Sequence, residues 1–192
     1  LSNFDTPQVI DMNRMFAICQ KLRNLDLSNF DTSKVNNMSY TFYNCTNINN
    51  LELSNFNTSQ VIDMDFMFSN CFSLNSINLS NFDTSKVKKM NNMFYNCKSL
   101  KNLDFSNFDT SNVINMNSMF FNCINLTFLN LSNFNTSKVN DTNKMFYNCS
   151  SLKTLDLNNF DTLNINDLNS MFYGCQNFEF LNLTISNSKA KI

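Results

Sequence analysis

Cysteine offers this chain its widest choice of chemistry, and its placing is regular. Cys19, Cys45, Cys71, Cys97, Cys123, Cys149 and Cys175 each follow the last by 26 residues. A nucleophilic thiol needs a base beside it, and the chain has no histidine. Zinc ligands converge in tetrahedral groups, and no CxxC pair occurs. Disulfides fit poorly, because seven is an odd number and parallel side chains stacked about 5 Å apart point the same way. The expectation is a column of buried free thiols acting as small apolar residues. A second column at the same period reads Asp26, Glu52, Asn78, Asp104, Asn130, Asp156 and Asn182. Paired carboxylates could cleave a glycosidic bond, but no acid here is singled out from its column mates. Oxygen ligands also suit a weak Ca²⁺ site, an alternative to a plain solvated face. A single glycine leaves no phosphate-cradling loop. No catalytic residue, metal site or cofactor is expected, and the chain is not expected to be an enzyme.

The elements that hold these columns follow from the same period. A self-similar repeat in the range of about 20–50 residues marks a solenoid whose units bury their apolar faces on one another. The stretch Leu79 to Asp104 is one such unit, and the chain reads as seven units over 1–182 with a degenerate terminal strand over 183–192. Leu25, Leu51, Ile77, Leu103, Leu129, Leu155 and Leu181 form one apolar column. Leu27, Leu53, Leu79, Phe105, Leu131, Leu157 and Leu183 form the next but one. That alternation predicts a short strand with one face inward, and stacked copies predict a parallel sheet. Asn29 and its equivalents, at the bend after the strand, are expected to bond one another and the backbone. Phe30 and its equivalents should fill the core below.

Asp31-Thr32-Ser33 and its equivalents are helix-capping types, and Pro7 in the first unit points to Thr6 as a cap. Val87, Met90, Met93, Phe94 and Cys97 then run at three-four spacing, which predicts a short amphipathic helix. Thr41 and Thr142 interrupt it in their own units. Asn44 and its equivalents, replaced by Gly174 in the last unit, suit a left-handed closing residue. Ile18 does not fit, so the first turn is expected to differ. Each unit thus reads as strand, bend, short helix and return, in a right-handed coil. An all-β solenoid is the alternative, and the spacing and cap signals argue against it.

The pattern LxxLDLSNFDTSxVxxMxxMFYNCxxL resembles the 26-residue bacterial surface-protein repeat, related to the BspA-like leucine-rich repeats. The resemblance covers residues 1–184. It implies an α/β solenoid like that of leucine-rich repeats, in large secreted or surface-anchored proteins and lipoproteins, with adhesion as the usual role. It implies no catalytic residues. A cell-surface or secreted location rests on this resemblance, since no leader is visible and the chain opens inside a repeat, like a piece of a longer protein.

Bulk properties narrow the partners. A net charge of −1 gives no electrostatic case for nucleic acid or an anionic membrane. No run of about 18 apolar residues exists to insert in a bilayer. A protein or glycan partner remains, and an open solenoid end also allows end-to-end self-association. Columns that depart from the scaffold are the candidate contacts. Phe128 and Phe180 stand in a polar column on the strand face, beside Asp104 and Asp156. A second stripe holds Tyr43, Tyr95, Phe121, Tyr147 and Tyr173, and reads either as a ladder of rings between coils or as a binding surface. Asn-x-Ser/Thr sequons at Asn44, Asn57 and Asn148 arise by chance in so asparagine-rich a chain. The expected function is a non-catalytic recognition or adhesion module. The alternative is a structural spacer that displays another domain.

Overall fold

The structure is a computed structural model that describes residues 6–163 and 169–185. Contacts recur at offsets near one repeat, so each stretch of chain lies over its equivalent in the next coil. Four three-residue strands line one side: β1 (Asn102–Asp104), β2 (Phe128–Asn130), β3 (Thr154–Asp156) and β4 (Phe180–Asn182). β1 pairs parallel with β2, Leu103 opposite Leu129, and β3 pairs parallel with β4, Leu155 opposite Leu181. β2 and β3 touch but belong to separate sheets. A second parallel line of single bridges runs Asp11, Asn37, Asp63, Lys89, Asn115, Asp141.

In the first six units the expected short helix is replaced by consecutive turns. In one coil Thr41, Tyr43, Cys45 and Ile48 donate their N–H groups to the carbonyls three residues back. The intervening N–H groups of Met38, Tyr40, Phe42 and Asn44 donate to Asp63, Asp65, Met67 and Ser69 of the next coil, at 2.8–2.9 Å. A helix would take these donors for itself, four residues back. The stack offers each of them a carbonyl in the neighbouring coil, and Tyr40 and Asn44 adopt φ of 58° to reach it. Left-handed residues four apart preclude a right-handed helix. The three-residue apolar spacing survives because a chain of turns also returns every third residue to one side: Val87, Met90, Met93, Phe94 and Cys97 are all buried. One helical turn, α1 (Asn169–Phe172), occurs in the last coil.

Two capping expectations change with it. Among the described residues the threonines cap no helix; they join coils. Thr110 Oγ1 donates to Asn135 O (3.0 Å) and accepts from Asn135 N–H (2.8 Å), and Thr32 does the same with Asn57. Thr6 lies alike against Asp31. Ile18 shares the left-handed conformation of Asn44, with φ of 65°, so the first turn does not differ in backbone. The asparagines at the bend bond backbone rather than one another: Asn81 Nδ2 reaches Leu53 O (3.0 Å) and Phe56 O (2.8 Å) of the preceding coil. It is the turn column that forms an amide ladder. Asn96 donates to Asn70, Asn122 to Asn96, and Asn148 to Asn122, at 2.9, 2.6 and 2.6 Å.

The core runs the length of the coil between these two sides. Phe42, Phe68, Phe94, Phe120, Phe146 and Phe172 stack at 5.2–6.1 Å between centroids. Phe30, Phe56, Phe82, Phe108, Phe134 and Phe160 are buried as their position predicts, and each such ring contributes about 1.5–3 kcal/mol through burial. Residues 183–185 are described at the close of the array, while 186–192 lie outside the described residues.

Candidate recognition surface

All the cysteines from Cys45 onward enter the core as free thiols, and Cys19 departs from the expected buried column. Cys45, Cys71, Cys97, Cys123 and Cys149 are buried, while Cys19 is exposed and Cys175 half-buried. Each thiol from Cys45 onward donates to a phenylalanine carbonyl of the preceding coil: Cys97 Sγ lies 3.1 Å from Phe68 O, and Cys123 Sγ 3.2 Å from Phe94 O. Burial pushes the Cys123 thiol up to about 12 and Cys45 to about 11. Such thiols are protonated and inert at neutral pH. Among the described residues no three Cys, Asp or Glu side chains gather as a metal-binding group.

The acid–asparagine column is built into the bend that follows each strand. Asp104 Oδ1 accepts from Ser106 N–H and Asp156 Oδ1 from Asn158 N–H, both at 2.9 Å. Asp26, Glu52, Asn78 and Asn130 make the same contact two residues on. Sequence reasoning missed this role, although Asp and Asn two residues before a turn amide are its usual signature. Successive coils then pair donor with acceptor: Asn130 Nδ2 reaches Asp104 Oδ1 at 3.0 Å and Asn182 Nδ2 reaches Asp156 Oδ1 at 3.1 Å. The Ser106 N–H, with smaller help from its hydroxyl and Asn130, holds the Asp104 carboxyl below its usual range.

Phe128 and Phe180 stand out on this face, 52% and 57% exposed. Phe128 lies opposite Asn102 and Phe180 opposite Thr154. With Asn130, Thr154 and Asp156 they line a shallow depression of about 390 Å³, over the junction where β2 and β3 do not pair. Asp104 is on the same face but does not line it. A larger depression, about 590 Å³, lies at Ile18–Leu22, in the first described coil.

Tyr95 and Tyr147 belong elsewhere. Tyr95, Phe121, Tyr147 and Tyr173 stack face to face at 4.6, 4.7 and 4.9 Å, a ladder on the turn side. Tyr95 and Tyr147 are half-buried in it, and Tyr173 is exposed. Ser69 interrupts the stripe; Tyr43 instead meets Tyr40 and Phe66 edge-on. The six candidates therefore fall on two separate surfaces, and the depression brings together Phe128, Asp156 and Phe180.

A stack of short parallel strands and turns around leucine and phenylalanine columns is a repeat solenoid of the leucine-rich-repeat class. A leucine-rich repeat protein from T. pallidum (TpLRR) has a similar structure, with a TM-score of 0.50 and 20% identity over 76% of this chain. The chain spans 61% of that protein's length. A leucine-rich repeat protein from Bacteroides ovatus aligns over 95% of this chain and 78% of its own at 16% identity, with a TM-score of 0.26. No curated protein matches the sequence. The family described as "Mycoplasma protein of unknown function, DUF285" matches residues 1–77 and 75–184, and the chain belongs to it. Family and fold agree with the BspA-like repeat class that the sequence pattern resembles.

Proposed function

We propose that the chain is a non-catalytic recognition module that binds its partner through the strand face centred on Phe128, Thr154, Asp156 and Phe180. The observation that carries this reading is the pair of phenylalanines more than half exposed on a regular scaffold. Their column holds Asn24, Asn50, Ser76, Asn102 and Thr154 elsewhere, so the fold does not need a ring there. Exposed aromatics anchor interfaces well, since they bury large area at little entropy cost. Display outside the cell, as a surface or secreted protein, belongs to the same proposal and rests on the resemblance of the repeat. The half-buried Tyr95–Tyr147 ladder serves the scaffold in this reading, because its faces are already spent on each other.

Binding of the purified chain to an array of matrix proteins and glycans tests the proposal. A specific partner should bind and be lost on replacing Phe128 and Phe180 with Ser. Binding that survives both substitutions moves the contact off this face. Silence across the array from folded protein favours a spacer.

A further inference from the structure

The buried columns repeat every coil, but some exposed ones change on alternate coils, one along the array and two over its last units. Gln8 and Lys34, Gln60 and Lys86, Asn112 and Lys138 alternate amide with ammonium, each lysine Nζ bonding the amide oxygen before it at 2.9, 2.7 and 2.8 Å. Over the last four units Asp104, Asn130, Asp156 and Asn182 alternate carboxylate with carboxamide, whereas Asp26 and Glu52 before them are both acidic. Charge explains the lysine column and the later part of the acid column: identical charges stacked about 4.8 Å apart repel, and alternation turns them into donor–acceptor pairs. Charge does not explain Asn102, Phe128, Thr154, Phe180, where an uncharged ring stands in the fifth unit and again in the seventh. The strand pairing has the same doubled period, β1 with β2 and β3 with β4.

We infer that this face binds an extended β-1,4-linked polysaccharide of the cellulose or chitin kind, lying along the stack with alternate sugars on Phe128 and Phe180. The inference rests on the recognition reading above and names its ligand class. The two rings are two coils apart, about 10 Å, since stacked strands lie about 4.8 Å apart and the rings on the turn side step by 4.7 and 4.9 Å through the same coils. In an extended β-1,4 chain each sugar is flipped relative to the last, so like faces recur once per disaccharide, at that same spacing. The C–H face of a pyranose stacks on the flat face of an aromatic ring, while its hydroxyls lie at the edge. Thr154 is small enough to leave the depression between the rings for the intervening sugar. The edge hydroxyls then face the neighbouring column, where Asn130 and Asn182 supply donors and Asp156 an acceptor. A protein partner would favour a continuous apolar patch at the interface core, whereas these rings are two islands in a polar sheet face.

Calorimetric titration of the purified chain with chitohexaose and cellohexaose tests the assignment, alongside maltohexaose, whose α-linkages curl the chain, and the same array of matrix proteins. At least one β-1,4 hexasaccharide should bind, its disaccharide at least about tenfold more weakly because it reaches only one ring. Phe128→Ala or Phe180→Ala should each weaken binding by at least about tenfold, and Trp at either position should preserve it. Both side chains are exposed, so unchanged melting curves should show that the variants remain folded. Equal binding of maltohexaose, binding unaffected by the double Ala variant, or no binding of either β-1,4 hexasaccharide overturns the assignment. If a matrix protein binds instead and depends on both rings, the recognition reading stands and the polysaccharide falls. If nothing binds, both fall.

Discussion

Asp65 should make the protein less stable as pH rises through the mildly acidic range, and Asp65→Asn should remove that loss. Burial, and then the neighbouring Asp63 carboxylate, push the Asp65 carboxyl from 3.8 up to about 7, against partial relief from Asn91 N–H and Lys89. The folded state thus holds a proton that the unfolded chain releases near its usual value. Stability from this group is whole below about pH 4 and is lost as pH rises to about 7. The full shift corresponds to a ceiling of roughly 4 kcal/mol. The side chain is only half-buried, so solvent screening reduces the effect to about 1–2 kcal/mol. Asn fits the site: Asn13, Asn91, Asn117 and Asn143 occupy its column, and an amide oxygen can accept the Asn91 N–H that Asp65 Oδ1 holds at 3.0 Å. In a chain of this size the gain is a rise in Tm of about 2–8 °C near pH 8, shrinking to nothing near pH 4. Thermal melts of both proteins across that range are the assay. A Tm difference that is constant with pH, or of opposite sign, refutes the assignment of the buried charge.

Further expectations follow from the inter-coil contacts. Thr110→Val keeps the shape but strands the N–H and carbonyl of Asn135, and should cost about 2–4 kcal/mol by urea unfolding, with Thr110→Ser recovering most of it. Asn122 has φ of 59°, so Asn122→Ala should be about 1 kcal/mol less stable than Asn122→Gly, although both lose the amide ladder. Equal stabilities would count against the left-handed turn. In native protein a thiol reagent should label Cys19 quickly and Cys71, Cys97, Cys123 and Cys149 only on unfolding, since the latter are buried. Rapid native labelling at Cys97 would contradict the packed thiol column.

The repeat, the inward leucines, the Phe30 column and the thiol column were legible because burial fixes residue type at a fixed period. The turns were not. A spacing of three or four apolar residues serves a helix and a run of turns alike, and what decides between them is a carbonyl in the next coil, 25 residues along. Local preference gave half of the clue. Asn44 and Gly174 advertise a left-handed residue, with φ of 58° and 81°. Tyr40 and Phe66, with φ of 58° and 56°, advertise nothing of the kind; bulky residues are held there by the ladder and by stacking on each other at 4.6 Å. The threonines misled for a related reason. Their hydroxyls do bond backbone amides, as a cap does, but in the following coil. The strand-face aromatics were legible as departures from their column, whereas the depression between them depends on which strands pair.

The most direct test of the central claim is nuclear magnetic resonance mapping of the labelled chain, saturated with whichever partner binds most tightly in the array. Shift changes should centre on Phe128, Asn130, Thr154, Asp156 and Phe180, with the Tyr95–Tyr147 ladder unmoved. Changes centred on that ladder, or on the depression at Ile18–Leu22, would contradict the claim.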